Sequence, residues 1–533
     1  MFVDPTRRGV WDKIRHRDFR AFAPWLTREV IERAATRAGV ALGGGPLGLF
    51  VLVWLSIACA LHPTKSFADV LGLALKLMRN DPDWDPDAFL GADRSTPTAA
   101  TEAKGKARAK AKARSDRSPA PPRSKHDPRG TGDPFQVSAT AFTQARAAMP
   151  WAFWVALVLI LAERFEDQHA DLVRFKHFRL LALDGTCLKL DRWGDLVARA
   201  GTSENGKGLP TPQARLVLLQ LPLVRLPVRF ELSPYSVGER TVATAVLEAL
   251  HRDDLVLIDR GFWSYGLFCQ VRRHDAHFAI RQMSGVAFEA LKSLGAEDRL
   301  VRWTPSDRQW KDEGLPESLR LRVIAYQIKG FRPSAVVTSV LDPTVISRDE
   351  FVRLATVDQA GRILDAGLYH RRWEIETTLS EIKVVQGMDG AFRSRTTEGI
   401  AFEVAGHLLL HFLVRRQIVA AALAAGVPPL RLSYEGALED VKDMRESLLK
   451  ADEGPAQGVL LPRLLDQIGG HVIPFRPGRH YPRPNDTKVK NKGKGKEQLP
   501  SKLGASDDAR PGRRNKGAAK PERQRQHHVA NSA

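Results

Sequence analysis

Phe178-Arg179-Leu180-Leu181-Ala182-Leu183-Asp184-Gly185-Thr186 is an apolar run that ends on an acid and a glycine. Such a run reads as a buried strand that delivers a carboxylate at its C-terminal end. Asp254-Leu255-Val256-Leu257-Ile258-Asp259-Arg260-Gly261-Phe262 repeats the construction. Ligands and reactive groups gather at the carboxyl ends of strands in open α/β sheets, although either aspartate alone could equally cap a turn. A third stretch, Tyr369-His370-Arg371-Arg372-Trp373-Glu374-Ile375-Glu376-Thr377-Thr378-Leu379-Ser380-Glu381-Ile382-Lys383, reads as a helix. At about 100° per residue, Tyr369, Arg372, Glu376, Leu379 and Lys383 share an arc of roughly 80°. That stripe suits a metal-binding acid beside a phosphate backbone, or a solvated face with i,i+4 pairs such as Arg372–Glu376. Two strand aspartates and a helical glutamate in this order favour the first reading. They could hold two Mg²⁺ ions, hard cations that prefer carboxylate oxygens, in an arrangement suited to phosphodiester chemistry.

The surrounding pattern predicts an α/β fold. Ala214–Gln220 and Val228–Leu232 read as strands two and three, Glu239–Leu250 as a helix, Leu255–Asp259 as strand four and Phe278–Arg281 as strand five. This β-β-β-α-β order, with the third acid on a later helix, predicts an RNase H-like mixed sheet as catalytic core, with a helical N-terminal domain and a helical C-terminal region. Residues 1–90 should be helical, with Thr27 as an N-cap. A basic disordered linker is expected at 91–134, the catalytic domain at 135–470 with a β-rich insertion at about 285–345, and a basic disordered tail at 471–533. A single helical approach is expected from Ser138 through Trp151 to about Arg164.

Tyr369-x2-Arg372-x3-Glu376-x6-Lys383, together with Asp184 in Asp-Gly-Thr and Asp259 in Asp-Arg-Gly-Phe, resembles the insertion-element-4 family of bacterial DDE transposases. Asp259 follows Asp184 by 75 residues and Glu376 follows Asp259 by 117, an interval that leaves room for a β-rich insertion. The resemblance extends to Leu26–Glu32, Ala141–Arg146, Arg393-Ser394-Arg395 and His411–Arg416. It implies that Asp184, Asp259 and Glu376 are catalytic and bind two Mg²⁺ ions, with Mn²⁺ able to substitute. Tyr369, Arg372 and Lys383 would bind DNA phosphates. Water would attack the scissile phosphate, and the freed 3′-OH would then attack a second phosphodiester or, as in relatives, the opposite strand to form a hairpin. The expected process is cut-and-paste movement of an insertion sequence bounded by terminal inverted repeats. Its partners would be transposon ends and target DNA, held by a homodimer. An RNase H-like nuclease without strand transfer and a catalytically inactive DNA-binding regulator are the rival readings.

The formal charge of +20 is concentrated in two places. Residues 104–129 carry ten Lys/Arg against Asp116 and Asp127, a surplus of +8, and residues 476–533 carry sixteen against five acids, a surplus of +11. The remainder is about neutral. Both segments are poor in aromatics and read as disordered, and basic tails favour salt-dependent phosphate binding. Cys59, Cys187 and Cys269 lack C-x-x-C spacing, which predicts a reduced compartment without a zinc site. With no secretory signal evident, the expectation is a bacterial cytoplasmic, nucleoid-associated protein. Pro46–Leu61 is uncharged but shorter than the ~20 residues a membrane span needs, so a buried core helix is expected and no membrane partner.

Other residues carry weaker signals. Glu374 and Glu381 fall off the stripe and should face solvent or pair with neighbours. Asp191 reads as structural, and Trp263, Trp303 and Trp310 as core residues rather than base-stacking platforms. The glycine-rich loop Gly201–Gly208 lacks nucleotide-site spacing.

Overall fold

The computed structural model describes residue 22 and residues 24–41, 47–71, 138–203, 211–305, 314–327, 333–353, 356–357, 363–365, 367–390, 392–450 and 455–474. The expected linker at 91–134, the tail beyond residue 474, Trp310 and residues 204–208 lie outside them.

Helix α1 (Arg28–Arg37) starts where Thr27 accepts the Val30 N–H, satisfying one of the four unpaired donors of a helix start. In α2 (Leu49–Leu61) every residue except Phe50 is buried, so the uncharged run is a core helix. The single helix expected from Ser138 is two, α3 (Ala139–Ala147) and α4 (Trp151–Gln168), bent by 74°. Pro150 stands at the N-cap of α4. Proline has no N–H to continue the ladder and pushes the residue before it out of the α region, so the helix restarts there.

The central sheet follows. In chain order its elements are β1 (Arg174–Phe175), β2 (Phe178–Lys189), α5 (Gly194–Ala200), β3 (Thr202–Ser203), β4 (Thr211–Leu221), β5 (Leu226–Pro234), α6 (Glu239–Leu247), β6 (Asp254–Ile258), α7 (Tyr265–Arg273), β7 (His277–Arg281), β8 (Glu289–Gly295), β9 (Asp298–Trp303), β10 (Leu319–Tyr326) and β11 (Ser334–Thr338). Helix α8 (Arg348–Val352) and a small ladder of Thr356–Val357 with Ile363–Asp365 lead to α9 (Trp373–Ser380), α10 (Thr397–Ala425), α11 (Tyr434–Lys450) and α12 (Pro455–Gly470).

The main sheet is mixed and has eleven strands. From β4 its order is β4-β2-β6-β7-β11-β10-β9-β8, with β3 and β5 on the outer side of β4 and β1 on β2. Strand β2 is antiparallel to β4 and parallel to β6, and β6 is parallel to β7. The strands of residues 289–338 pair onto β7 through β11 and so continue this sheet. At the opposite ends of β2 and β6 from the acids, Arg179 grips Asp254 with two hydrogen bonds of 2.7 and 2.6 Å and reaches Glu166 of α4. This pairing ties the sheet to the helical layer.

Helix α10 is the spine of that layer and packs on α2, α3, α4 and α12. By length and composition it could cross a membrane, but the fold buries most of it. Its Gly406 lies against the Ser56 carbonyl, where a methyl group would come within 2.6 Å of the oxygen. Gly406→Ala should therefore force α2 and α10 apart and cost about 1–3 kcal/mol, a typical overpacking penalty. Urea unfolding measures this, and an unchanged midpoint would contradict the close approach.

Candidate active site

Strand β2 does not stop at Asp184, as its sequence suggested. Its antiparallel ladder with β4 runs from Ala182↔Gln220 to Lys189↔Gln213, while its parallel ladder with β6 ends at Leu183↔Ile258. One neighbour leaves before the other, so Asp184 lies within a strand yet at the open end of the parallel pair. The register makes Asp184 and Asp259 the next residues after the last rung, which brings two carboxylates 75 positions apart in sequence side by side. Each accepts the N–H of a nearby glycine. Asp184 Oδ1 accepts the Gly185 N–H at 2.8 Å, and Asp259 Oδ2 accepts the Gly261 N–H at 3.0 Å.

The third stretch is not one regular helix. Leu368–Arg372 is a 3₁₀ turn, α9 is α-helical, and Glu381–Val385 is a π turn, so a uniform 100° wheel does not describe it. Arg372 at the first junction brings the three acids together. Its Nη1 lies 2.9 Å from Glu376 Oε1, 3.2 Å from Asp259 Oδ1 and 4.0 Å from Asp184 Oδ2. These are contacts of proximity, because none is aligned as a hydrogen bond.

Tyr369 sits apart from them. Its hydroxyl accepts the Arg281 N–H at 2.8 Å and donates to the Ile258 carbonyl at 3.3 Å. It thereby pins the 3₁₀ turn onto the ends of β6 and β7, and burial pushes its ionisation upward. Lys383 returns to β2, with Nζ 3.2 Å from Thr186 Oγ1, 3.3 Å from the Cys187 carbonyl and 3.3 Å from Asp389 Oδ1.

The π turn begins at a buried anchor. Its first residue, Glu381, is only 6% exposed and receives hydrogen bonds from Arg225 at 2.8 Å, Arg415 Nε at 2.9 Å and His411 at 3.0 Å. Arg225 also holds Glu374, with Nη2 2.6 Å from Oε2. Glu374 and Glu381 are therefore paired, one on each side of Glu376, and brace the segment that carries it. π turns within helices often accompany functional sites. Arg225 escaped the sequence reading. It occupies a positive-φ position (56°) in the β4–β5 turn, and nothing in the pattern Leu223-Val224-Arg225-Leu226 announces that backbone.

Burial pushes the Asp184 carboxyl up to about 7; the Gly185 N–H opposes this, Asp259 and Glu376 add to it, and Arg372 offsets part. Three carboxylates are hard-oxygen donors of the kind divalent ions prefer, but Arg372 stands among them and, as the side chains stand, no group of three or more His, Cys, Asp or Glu among the described residues is arranged to hold a metal ion. Trp263 and Trp303 are buried 5.4 Å apart in an aromatic cluster with Phe268, and so belong to the core. Asp191 is exposed. Cys59, Cys187 and Cys269 form no disulfide with one another.

Residues 176–413, slightly less than half of the chain, match the family model of the transposase DDE domain. The match supports a transposase DDE domain in this part of the chain, which includes Asp184, Asp259, Glu376 and Lys383. The chain is also similar to a piggyBac transposase solved as a synaptic complex with hairpin DNA, at 10% identity over 87% of each chain and a TM-score of 0.35. A likeness at that level carries no weight for fold or function. Comparison with curated proteins gives no match.

Proposed function

We propose that this chain is the cut-and-paste transposase of a bacterial insertion sequence of the insertion-element-4 type, cleaving DNA at terminal inverted repeats and joining the ends to a target. The convergence of Asp184, Asp259 and Glu376 on Arg372 Nη1 carries the reading, because an acid triad from two strand ends and a helix is what metal-dependent phosphodiester chemistry requires. The order β5-β4-β2-β6-β7, antiparallel through β2 and parallel beyond it, supports an RNase H-like core.

Asp184, Asp259 and Glu376 would hold two Mg²⁺ ions, which supply a more acidic water and neutralise charge on phosphate oxygens. Their carboxylates would hold the cations where the parallel β2–β6 ladder ends. Lys383, beside Thr186, is placed to bind a phosphate of the scissile strand as a point charge. Arg372 balances the acids and is long enough to turn its fork to DNA. Tyr369 acts one step further back: with its hydroxyl taken up by backbone, it orients the turn that carries Arg372. A homodimer on paired ends, in the bacterial cytoplasm at the nucleoid, completes the proposal.

The deciding experiment offers the purified protein a duplex carrying the inverted repeat beside its gene, with Mg²⁺ and a target plasmid. Cutting at the repeat boundary followed by joining is expected. Cutting without joining would leave a nuclease, and binding without cutting would leave a regulator.

A further inference from the structure

We propose that Arg164 and Arg416, gathered about Trp25 in the helical layer, bind a phosphate of the DNA backbone outside the acid centre. The inference rests on the DNA-cutting reading above and deepens it. Trp25 lies in the turn before α1 and is only 2% exposed. Arg164 of α4 brings its guanidinium carbon to 5.0 Å from the centre of that ring, and Arg416 of α10 comes to 4.8 Å. Arg164 Nη1 also donates to the Trp25 carbonyl at 3.5 Å. The Phe165 ring stands 6.2 Å from Trp25, with His169 4.9 Å beyond it. Three separate parts of the chain thus bring two half-buried guanidinium groups to one ring. Glu166, two residues after Arg164, bonds Arg179 at the other end of β2 from Asp184.

A ring face attracts a cation but does not neutralise it, and the acids that could do so are taken. Glu163 and Glu166, the neighbours of Arg164 on α4, pair with Arg37 at 2.8 Å and Arg179 at 3.1 Å. The two acids of α10 lie in its first two turns, where Glu398 pairs with Arg199 and Glu403 with Arg393. Among the described residues neither Arg164 nor Arg416 has a carboxylate partner. Arg416 reaches only the amide oxygen of Gln417, at 3.4 Å. Burial and the charge of Arg164 draw the Arg416 guanidinium down to about 10, and burial and Arg416 together lower His169. Two partly desolvated like charges are costly until an anion joins them. The guanidinium fork suits a phosphate. Trp25 is too deeply buried to offer a face to a base, so the contact would hold backbone and read no sequence.

Two measurements on the full-length protein test this. Thermal melts without DNA compare inorganic phosphate with chloride at equal ionic strength. Phosphate should raise the wild-type midpoint and raise that of Arg164→Gln/Arg416→Gln less. Binding titrations of a short repeat duplex over a range of salt then identify the source of the phosphate. At about 0.1 M salt the double variant should bind roughly 5- to 10-fold more weakly, and its slope of log affinity against log salt should be smaller by about one, as for one lost phosphate contact. An unrelated duplex of equal length should show the same loss. Arg416→Lys guards against misfolding of the double variant: it keeps the charge and should keep the wild-type slope. A slope lost with lysine would trace the effect to the fold and overturn the inference. Unchanged affinity and slope in the double variant would also overturn it, and a phosphate effect lost at the same time would assign the site to a free anion. If the wild type fails to bind the repeat duplex, the transposase reading falls first. If it binds and cuts while the double variant matches its affinity, only this contact is lost.

Discussion

Asp259→Asn and Glu376→Gln are each expected to lower DNA cleavage at saturating Mg²⁺ by on the order of 10³-fold, a loss of about 4 kcal/mol of transition-state stabilisation, with repeat-end affinity little changed. Both replacements keep the side-chain shape and remove one negative charge from a cluster in which Arg372 Nη1 lies 3.2 Å from Asp259 and 2.9 Å from Glu376. DNA binding should survive because it draws on phosphate contacts spread over basic residues. Single-turnover cleavage of a labelled repeat duplex, beside a binding titration on the same duplex, separates the two quantities. A variant that cuts within tenfold of wild type would remove its residue from the centre. Equal losses in binding and cutting would point to a misfolded site rather than to missing chemistry.

Glu381→Gln should be the most damaging substitution for stability outside the acid cluster, costing about 3–5 kcal/mol, the usual result of breaking a buried ion pair from one side. The variant leaves the Arg415 and Arg225 guanidinium groups around a neutral amide in a site where Glu381 is 6% exposed. The pH dependence carries the same information. Burial alone would raise the Glu381 carboxyl, but Arg415, the His411 hydrogen bond and Arg225 outweigh it and hold the group at about 2, below the ~4.3 of a free glutamate. A carboxyl depressed by folding stabilises the native state above its unfolded pKa and loses that contribution as the pH falls through its folded one. Wild type should therefore lose this contribution between about pH 4.3 and 2, and Glu381→Gln should lack that part of the acid sensitivity. Urea midpoints at pH 7 and pH 3 for both proteins provide the check; equal acid sensitivity would mean that Glu381 is not charged in the fold.

The effect should reach the site, because Glu381 begins the π turn that contains Lys383. With the buried anchor gone, the turn has less reason to keep its wide hydrogen bonding, and Lys383 would drift from Thr186. Cleavage by the surviving folded fraction should fall as well.

Much of this arrangement is written locally in the chain. An apolar run closed by an acid and a nearby glycine favours burial as a strand, which is why the segments around Asp184 and Asp259 read correctly as strands. The uncharged run at 49–61 had to be a core helix for the same reason, and Thr27 caps α1 through atoms three residues away. The pairing in Tyr369–Lys383 was legible in part. The i,i+4 contact of Arg372 with Glu376 follows from spacing, while the 3₁₀ and π turns at either end do not, because propensity says little about how a buried anchor distorts a helix.

The tertiary structure alone decided the rest. The end of the β2–β6 ladder at Leu183↔Ile258 sets the two aspartates abreast, and no feature of either strand states that register. The Tyr369 hydroxyl bonds to backbone 88 and 111 residues away, contacts that its position on the stripe does not announce. Arg225 and Glu381 meet across 156 residues. Burial forms elements from their nearest neighbours in sequence, whereas the direction and reach of a charged side chain depend on whatever the completed fold packs against it.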